Sequence, residues 1–343
     1  MPDEVMKSVL IGTRLQRLQV SGIALDDAYF MAIQDNFESQ YAAFTTCFLR
    51  PEYTVLDIGA NIGMTAAIMS SVVHEGNIYA FEPGPKVFEE LEANCHRNNL
   101  ANVHAHQLAI SDKPGTVNFS EASAYGHLDS DGPVTVEADT VDNVVRTLGL
   151  VAVDFIKIDV EGYEWPVLRG ATEVLALHKP LVHMEFNSFC QLAYGDVNPR
   201  DFFQWLFTQF SNIFMVSKDG NGPLLKRITA DDTVTFLHQN LVGDGCVSDL
   251  VMTNDPSRLT VSMVGAEGSL RRVMEERNQE VAQRLAAEAQ VATLTTSVTS
   301  LTDSLTSTAA AFQTVSEELA LVYASASWKA SAPLRRLRDQ TRT

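Results

Sequence analysis

The first chemical signal in the sequence is a glycine turn that follows an acidic strand end. Residues 55–63 read V-L-D-I-G-A-N-I-G, so Asp57 closes an apolar strand, and Gly59 and Gly63 bracket the turn into a helix. In open α/β sheets, this first strand–helix turn binds a nucleotide-like ligand. Dinucleotide sites space their glycines as G-x-G-x-x-G and direct helix amides at a pyrophosphate. Here the spacing is G-x-x-x-G and a carboxylate precedes it, which favours a ligand with an ammonium group and no phosphate.

S-adenosylmethionine is a ligand of that kind, because it carries an ammonium and a sulfonium. The two glycines, with Ala60 and Asn61 between them, allow its methionine and adenosine portions to approach the backbone closely. Glu82 and Pro83 end the next strand in the sequence F-E-P, where an acidic side chain accepts hydrogen bonds from ribose hydroxyls. The alternative interpretation of such a loop is a tight turn in any α/β protein.

The end of the third strand, residues 107–112 with the sequence Q-L-A-I-S-D, is a candidate adenine wall. We expect Leu108 and Ala109 to pack on the adenine ring and Asp112 to accept a hydrogen bond from its N6 amino group. An ordinary strand end without a ligand is the alternative for each of these residues.

A second group of acids lies in I-K-I-D-V-E-G-Y-E-W-P-V-L-R-G, residues 156–170. A helix N-terminus stabilises each nearby carboxylate by about 0.3–1 kcal/mol, which explains one or two acids here but not three beside a lysine. We predict that Asp159 faces the sulfonium end of the cofactor and that Glu161 orients the acceptor hydroxyl. Helix capping is the alternative role for Glu161 and the favoured one for Glu164.

The fifth strand ends in H-M-E-F-N, residues 183–187, and strand alternation places His183 and Glu185 on one face. Methyl transfer to a hydroxyl requires a base for its proton, and either side chain is a candidate. A hydrogen-bonded interior pair is the alternative. Asp159, Glu161 and Glu185 could together hold a divalent cation, but without clear ligand spacing a metal is not favoured.

The elements that must position these residues alternate between strand-like and helix-like patterns from about residue 50 to residue 255. This alternation predicts an α/β fold with a mostly parallel, twisted sheet covered by helices on both faces. The predicted strands are TVLDIG (54–59), NIYAFE (77–82), HAHQLAI (104–110), DFIKIDV (154–160) and PLVHMEF (180–186). The segment WPVLRGATEVLAL is expected to form a crossover helix, and IFMVS, PLLKRIT and SDLVMTN are expected to close the sheet as antiparallel strands.

After Pro256 the pattern changes to a heptad repeat. Apolar positions step alternately by four and three residues from Leu294 to Ala326, which is the spacing of a coiled coil. Threonine and serine dominate residues 293–308 and disfavour an isolated helix, so the apolar seam requires a partner. Self-association is the simplest expectation, and a Ser/Thr-rich disordered linker is the alternative.

Composition limits the partners of this 343-residue chain. Its net charge is −18, which argues against free nucleic acid as a ligand. The tail from Ser327 onward carries five basic residues and one acid, a pattern that serves location better than catalysis. With four scattered cysteines, no signal peptide and no long apolar run, we expect reduced thiols and a cytoplasmic protein.

In order and spacing, VLDIGANIG, FEP, AISD, IKIDVEGYEWPVLRG and DLVMTN resemble the FkbM family of S-adenosylmethionine-dependent O-methyltransferases over about residues 36–253. The resemblance implies a Rossmann-like class I methyltransferase fold, cofactor binding by the residues of the first turn and Glu82, and an active site lined by Asp159 and Glu161. Family acceptors are hydroxyls of sugars and of sugar-bearing or polyketide metabolites. The segments 118–134 and 187–199 match no family pattern and are expected to determine acceptor specificity.

The tail S-W-K-A-S-A-P-L-R-R is similar to the SWRxTAPLR segment of bacterial polysaccharide-assembly proteins. It implies contact with an anionic membrane surface, at the inner face of the cell membrane, or with a partner glycosyltransferase. The expected organisation is an N-terminal helical cap (1–50), a methyltransferase domain (51–255), a linker (256–266), a coiled coil (267–326) and a basic tail (327–343).

The expected function is methylation of a sugar hydroxyl in bacterial surface polysaccharide biosynthesis, such as that of O-antigen or capsule. The alternatives are O-methylation of a secondary metabolite, a nicotinamide-dependent oxidoreductase, and a non-catalytic scaffold that works through its coiled coil and tail. Intact glycines and acids in the first turn count against the scaffold.

Overall fold

The computed structural model describes residues 6–11, 16–22, 27–35, 37–120, 126–128, 132–217, 224–260, 294–295, 297–321 and 324. The chain divides after Val264 into two compact units. The catalytic elements predicted from the sequence lie in the first unit, and the heptad repeat lies in the second. The predicted coiled-coil residues 267–293 and the basic tail 327–343 lie outside the described residues.

Fourteen described strands belong to the first unit. In chain order they are β1 (Met6–Ile11), β2 (Gln16–Ser21), β3 (Thr54–Ile58), β4 (Asn77–Phe81), β5 (Val103–His106), β6 (Ala109–Ile110), β7 (Gly115–Ser120), β8 (His127–Leu128), β9 (Val134–Asp139), β10 (Phe155–Ile158), β11 (Leu181–Asn187), β12 (Asn212–Ser217), β13 (Leu224–Ile228) and β14 (Val247–Thr253).

Ten described α-helices of the same unit connect and cover these strands. They are α1 (Ala28–Ala32), α2 (Ser39–Phe48), α3 (Met64–Ser70), α4 (Pro85–Arg97), α5 (Val141–Thr147), α6 (Glu164–Arg169), α7 (Thr172–Leu177), α8 (Ser188–Ala193), α9 (Pro199–Gln209) and α10 (Thr233–His238).

The main sheet has eight strands in the order β13-β12-β14-β11-β10-β3-β4-β5. Strands β11, β10, β3, β4 and β5 pair in parallel, whereas β14, β12 and β13 pair antiparallel. The predicted mostly parallel, Rossmann-like sheet and its antiparallel closing strands are therefore confirmed. Because β3 lies at the point where the strand order reverses, the carboxyl ends of β3 and β10 open a crevice there.

Apolar packing on both faces of the sheet holds this arrangement. One hydrophobic cluster joins Phe44 of α2 and Leu91 of α4 to one face, and the other joins Val167 of α6 and Phe202 of α9 to the opposite face. Strands buried on both sides need nearly continuous apolar sequences, and FIKI of β10 is buried along its whole length. Lys157 is therefore an exception that calls for a local explanation.

The N-terminal helical cap is only partly right, because β1 and β2 form an antiparallel hairpin before α1 and α2. Alternating residues of the hairpin, Val9 and Ile11 on β1 and Leu18 and Val20 on β2, are buried in the core. This period of two is the strand pattern, and the helical interpretation of residues 1–50 overlooked it.

Two predicted elements are divided in the structure. Residues 104–110 do not form one strand, since β5 ends at His106 and β6 pairs with β9 in a separate four-stranded sheet of order β6-β9-β7-β8. The predicted crossover helix between β10 and β11 is two helices, α6 and α7. The helix is interrupted at Gly170, where a side chain would collide with the Ser111 carbonyl oxygen.

In the second unit, residues 297–321 form one helix, α11. Its seam side chains are exposed, including Leu301, Leu305 and Phe312. No helix among the described residues is long and apolar enough to cross a membrane.

Candidate active site

A cavity of about 480 Å³ opens at the carboxyl ends of β3, β4, β10 and β11. We divide the cavity into two parts and name each after the ligand that the sequence predicts for the residues lining it. The cofactor half is lined from β3, β4 and the segment after β5, and includes Gly59, Glu82 and Leu108. The acceptor half is lined from β11, β14 and α2, and includes Glu185, Asp249 and Tyr41.

The glycine turn shapes the cofactor half. Gly59 has φ +81°, and a side chain there would collide with the Asp159 carbonyl oxygen on the neighbouring strand end. Asn61 also has a positive φ of 51°, and its Oδ1 accepts a 2.7 Å hydrogen bond from the Ile62 N–H. Of the turn residues, Gly59 and Asn61 line the cavity, whereas Ala60 and Gly63 are buried.

Glu82 ties the second strand to this turn. Its carboxylate accepts hydrogen bonds from the Asn61 N–H at 3.0 Å and from the Gly84 N–H at 2.9 Å. Burial nevertheless raises the pKa of Glu82 to about 7. A carboxylate has about four lone-pair positions, so two remain for a ligand hydroxyl, and Pro83 lines the cavity beside it.

The burial of Lys157 is explained by the acids with which its ammonium group pairs. Its Nζ lies 3.1 Å from Asp159 Oδ2 and 3.9 Å from Asp57 Oδ1. Burial alone would lower the pKa of Lys157, but Asp159 and Asp57 outweigh it and hold that pKa above its usual value. Asp57 is fully buried, and its Oδ2 accepts a 2.9 Å hydrogen bond from the Thr65 hydroxyl. Asp159 and Lys157 line the cavity, whereas Asp57 does not line it and contacts Lys157 behind the cavity wall.

The residues expected to contact adenine separate in the structure. Leu108 and Ala109 line the cavity together with Ile110. The carboxylate of Asp112 instead pairs with Arg169, with 2.7 Å between Oδ2 and Nη2.

His183 and Glu185, the two candidate bases, line the acceptor half but differ in character. The His183 ring packs edge-on against Tyr41 and Phe44, with centroid distances of 5.1 and 4.9 Å. Burial, and then the charge of Lys157, lowers the pKa of His183 to about 3. Burial, and then Asp159, Glu161 and Asp249, raises the pKa of Glu185 well above its usual value. Glu185 is therefore much the stronger base of the two.

Glu161 and Glu164 take different positions in the structure. Glu161 lines the cavity with φ 49° and accepts a 3.0 Å hydrogen bond from the Cys190 thiol of α8. Glu164 is buried, and its Oε1 accepts a 3.0 Å hydrogen bond from the Gly162 N–H. Glu164 thus stabilises the turn at the start of α6, where burial raises its pKa to about 7.

The segment 187–199, which matched no family pattern, forms α8 and borders the acceptor half. Asn187 caps α8 by accepting a hydrogen bond from the Cys190 N–H at 3.1 Å, and its Nδ2 donates to Glu185 Oε1 at 3.2 Å. Tyr194, just after α8, stacks on His127 of β8 with 3.8 Å between ring centroids. The segment of α8 therefore contacts both His127 at the cavity and the acids Glu161 and Glu185.

Sequence reasoning overlooked several residues of the acceptor half, among them Tyr41 and Phe44 of α2 and Asp249 of β14. No motif links α2 to β11, because the two lie far apart in the chain. Asp249 had one available signal, since it is the one charged residue of the closing strand β14.

No group of three or more carboxylate, histidine or cysteine side chains is arranged to hold a metal ion in the part of the chain that the structure describes. Six carboxylate side chains line the cavity and suit a cationic organic ligand: Glu38, Glu82, Asp159, Glu161, Glu185 and Asp249. All four cysteines are free thiols, and Cys95 and Cys190 are buried.

The comparison with protein families agrees with this architecture. Residues 57–215 match the model of the methyltransferase FkbM domain. The chain is 32% identical over 123 residues to the hexuronic acid methyltransferase AglP of Haloferax volcanii, covering 35% of this chain and 50% of that protein. It is 29% identical over 150 residues to the 2-O-methyltransferase NoeI of Sinorhizobium fredii, covering 37% of this chain and 60% of that protein.

The chain thus spans about half of the length of the curated relatives that it matches. Among solved structures, the methyltransferase FkbM from Methylobacillus flagellatus matches with a TM-score of 0.39 and 15% identity, covering 61% of this chain and 47% of that one. Residues 57–215 of the chain are therefore similar to the methyltransferase FkbM domain.

Proposed function

We propose that this protein is an S-adenosylmethionine-dependent O-methyltransferase that methylates a hydroxyl of a sugar. The observation that carries the proposal is that one cavity combines a part suited to the cofactor with a part suited to the acceptor. Its cofactor half combines the glycine turn with Glu82, and its acceptor half holds a carboxylate, Glu185, whose pKa burial raises well above the usual range. The names of the relatives AglP and NoeI, which refer to a hexuronic acid and to 2-O methylation, support a sugar acceptor.

The residues of the cofactor half fit S-adenosylmethionine. Glu82 has lone pairs left for ribose hydroxyls, and the apolar side chains of Leu108, Ala109 and Ile110 suit an adenine ring. Asp159, 35% exposed in its side chain, offers a carboxylate to a cationic group. When bound, this cofactor supplies an electrophilic methyl group on its sulfonium.

Glu185 acts as the general base in this mechanism. It accepts the proton of the acceptor hydroxyl, which makes the oxygen a better nucleophile. The oxygen–carbon bond would form as the carbon–sulfur bond breaks and leaves its electron pair on the sulfur. A carboxylate with a raised pKa is suited to this role, because efficient proton transfer near neutral pH requires a base of matching pKa. His183, held neutral among aromatic rings, shapes the wall beside it and stays unprotonated.

The biological setting that we propose is the assembly of a bacterial surface polysaccharide. The likeness of residues 327–336 to SWRxTAPLR segments supports this setting, in which the basic tail would contact an anionic membrane or a glycosyltransferase.

Isothermal titration calorimetry with S-adenosylhomocysteine tests the cofactor assignment. We expect the wild-type chain to bind it, Glu82→Gln to weaken binding at least about tenfold, and Glu75→Gln, an exposed acid outside the cavity, to bind as the wild type does. Transfer of labelled methyl from S-adenosylmethionine into glycans of a bacterial extract then tests the reaction. No binding by the wild type, or equal binding by both variants, contradicts the proposal.

A further inference from the structure

The helix α11 has an exposed apolar seam along one side. Its apolar residues step alternately by three and four positions, so their side chains share one face of the helix. They are between 52% and 75% exposed: Val298, Leu301, Leu305, Phe312, Val315 and Leu319. With 25 residues, α11 is about 37 Å long at 1.5 Å per residue, and an apolar stripe of that extent marks an interaction surface.

The threonine hydroxyls of α11 are satisfied within the helix itself. Each donates a hydrogen bond to the backbone carbonyl four residues earlier, at distances between 2.8 and 3.1 Å: Thr299, Thr302, Thr306, Thr308 and Thr314. These hydroxyls do not require a partner molecule. The apolar seam is therefore the surface of α11 that gains most from being covered.

Thr308 is the one polar side chain of the seam between Val298 and Leu319. A hydroxyl that is buried without a hydrogen bond opposes association. The Thr308 hydroxyl donates to the Ser304 carbonyl at 2.9 Å, and burial of the seam leaves that bond in place. A partner can therefore cover the seam without a break at this position.

The backbone of α11 also favours a partner. Ten of the 25 residues in 297–321 are serine or threonine, which form helices less readily than alanine does. Most of the stability of a helix in a protein comes from packing of its apolar face. Packing of the seam thus supplies the stability that the residue types of α11 do not.

The charges around the seam indicate what covers it. From Leu294 to Leu321 the sequence has three acids and no lysine or arginine. The heptad places Asp303 and Glu317 on the side opposite the seam and Glu318 beside it. An acidic partner finds no cation here, and a basic partner finds one acid beside the seam.

A second copy of the same helix fits this surface better. The other positions that flank the seam are small and uncharged: Ser297, Thr302, Ser304, Ala309, Ala311 and Ser316. A second copy brings an apolar seam of identical spacing and almost no like charge. The seam also extends over about three heptads in the described helix, the length at which a coiled coil becomes a specific expectation.

We infer that α11 pairs with α11 of a second copy of this chain to form a coiled coil. This pairing does not depend on the proposed methyl transfer, because no residue of the cavity takes part in it. It makes the seam the contact that holds the assembled chains together.

Sedimentation equilibrium of the full chain at about 10–100 μM tests the inference. The wild type should have a mass that is a multiple of the chain mass, and this mass should fall on dilution. Leu305→Asp should reduce the mass to that of one chain, because the seam would bury an unpaired carboxylate. Ser300→Asp, which adds the same charge on the outward side of the helix, should sediment as the wild type does.

If Leu305→Asp aggregates, Leu301→Ser, a second change in the seam, takes its place. A wild type that sediments as a single chain overturns the inference, whether the seam packs within its own chain or binds a different protein. An oligomer that the seam variant leaves intact also overturns it, because the contact then lies elsewhere. Equal dissociation of Ser300→Asp and Leu305→Asp would show that charge, and not the seam, controls the assembly.

Discussion

The two halves of the cavity are built in different ways. The cofactor half is lined from short segments within residues 58–61, 81–83 and 108–110, at the ends of neighbouring parallel strands. The acceptor half combines α2, β11 and β14, which are separated by long stretches of chain. A ligand bound mainly by backbone turns leaves a motif in the sequence, whereas one bound by side chains from distant elements does not.

The halves also differ in how their acids are compensated. In the cofactor half, Glu82 accepts two backbone N–H groups, and Asp57 has the Thr65 hydroxyl and Lys157 beside it. In the acceptor half, Glu185 accepts one hydrogen bond from Asn187 and faces Asp249. The first half is thus preorganised by hydrogen bonds, whereas the second places two acidic residues opposite each other on adjacent strands.

The largest expected effect is at the glycine turn. Gly59→Ala should abolish binding of S-adenosylhomocysteine, because the new Cβ collides with the Asp159 carbonyl oxygen at a positive φ. Gly149→Ala is the matched control, since Gly149 also has a positive φ but no atom within 4 Å of the added Cβ. That control should cost only about 1 kcal/mol of stability in urea unfolding and leave binding intact. Equal binding by both variants would show that the turn does not hold the cofactor.

The next largest effect is expected on the rate of methyl transfer, and it distinguishes the acceptor half from the cofactor half. Glu185→Gln should reduce the rate of methyl transfer by about 10²–10⁴-fold and change the affinity for S-adenosylhomocysteine by less than about twofold. His183→Gln should reduce the rate much less, because a group with a pKa of about 3 is a poor base. A larger loss in the His183 variant would move the base to histidine.

A pH effect of intermediate size is expected from Glu82. Burial raises its pKa from 4.5 to about 7, so the stability from its protonated form is full below pH 4.5 and is lost as the pH rises through 7. The wild type should therefore lose about 3 kcal/mol relative to Glu82→Gln between pH 4.5 and 7.5. Urea unfolding of both proteins at the two pH values measures this difference. Parallel stability profiles would contradict a buried, protonated Glu82.

The smallest effect is expected at Asp112, which pairs with Arg169 at a partly exposed position. Such pairs contribute about 0–1 kcal/mol, so Asp112→Asn should change the affinity for S-adenosylhomocysteine by less than about threefold. A tenfold loss in calorimetry would instead support the predicted contact between Asp112 and the adenine N6.

Much of the fold could be predicted because its signals are local. The strands around Asp57, Lys157 and Glu185 have short apolar patterns that end in turns, and their βα alternation implies a parallel sheet. The errors fell where tertiary contacts override local pattern. The β1–β2 hairpin packs its alternate residues into the core. The crossover helix breaks at Gly170, where the nearby Ser111 carbonyl oxygen requires a glycine, and glycine disfavours a helix.

The sequence by itself determined the glycine turn, the acids at the strand ends and the heptad seam, because each depends on residue types at fixed short spacing. Only the tertiary structure decided that Lys157 pairs with Asp159 and lies near Asp57, that burial and Lys157 keep His183 neutral, and that Asp249 lies opposite Glu185. The reason is physical. A side chain's charge depends on the neighbours and the burial that the whole fold imposes, and no local pattern specifies which distant element supplies them.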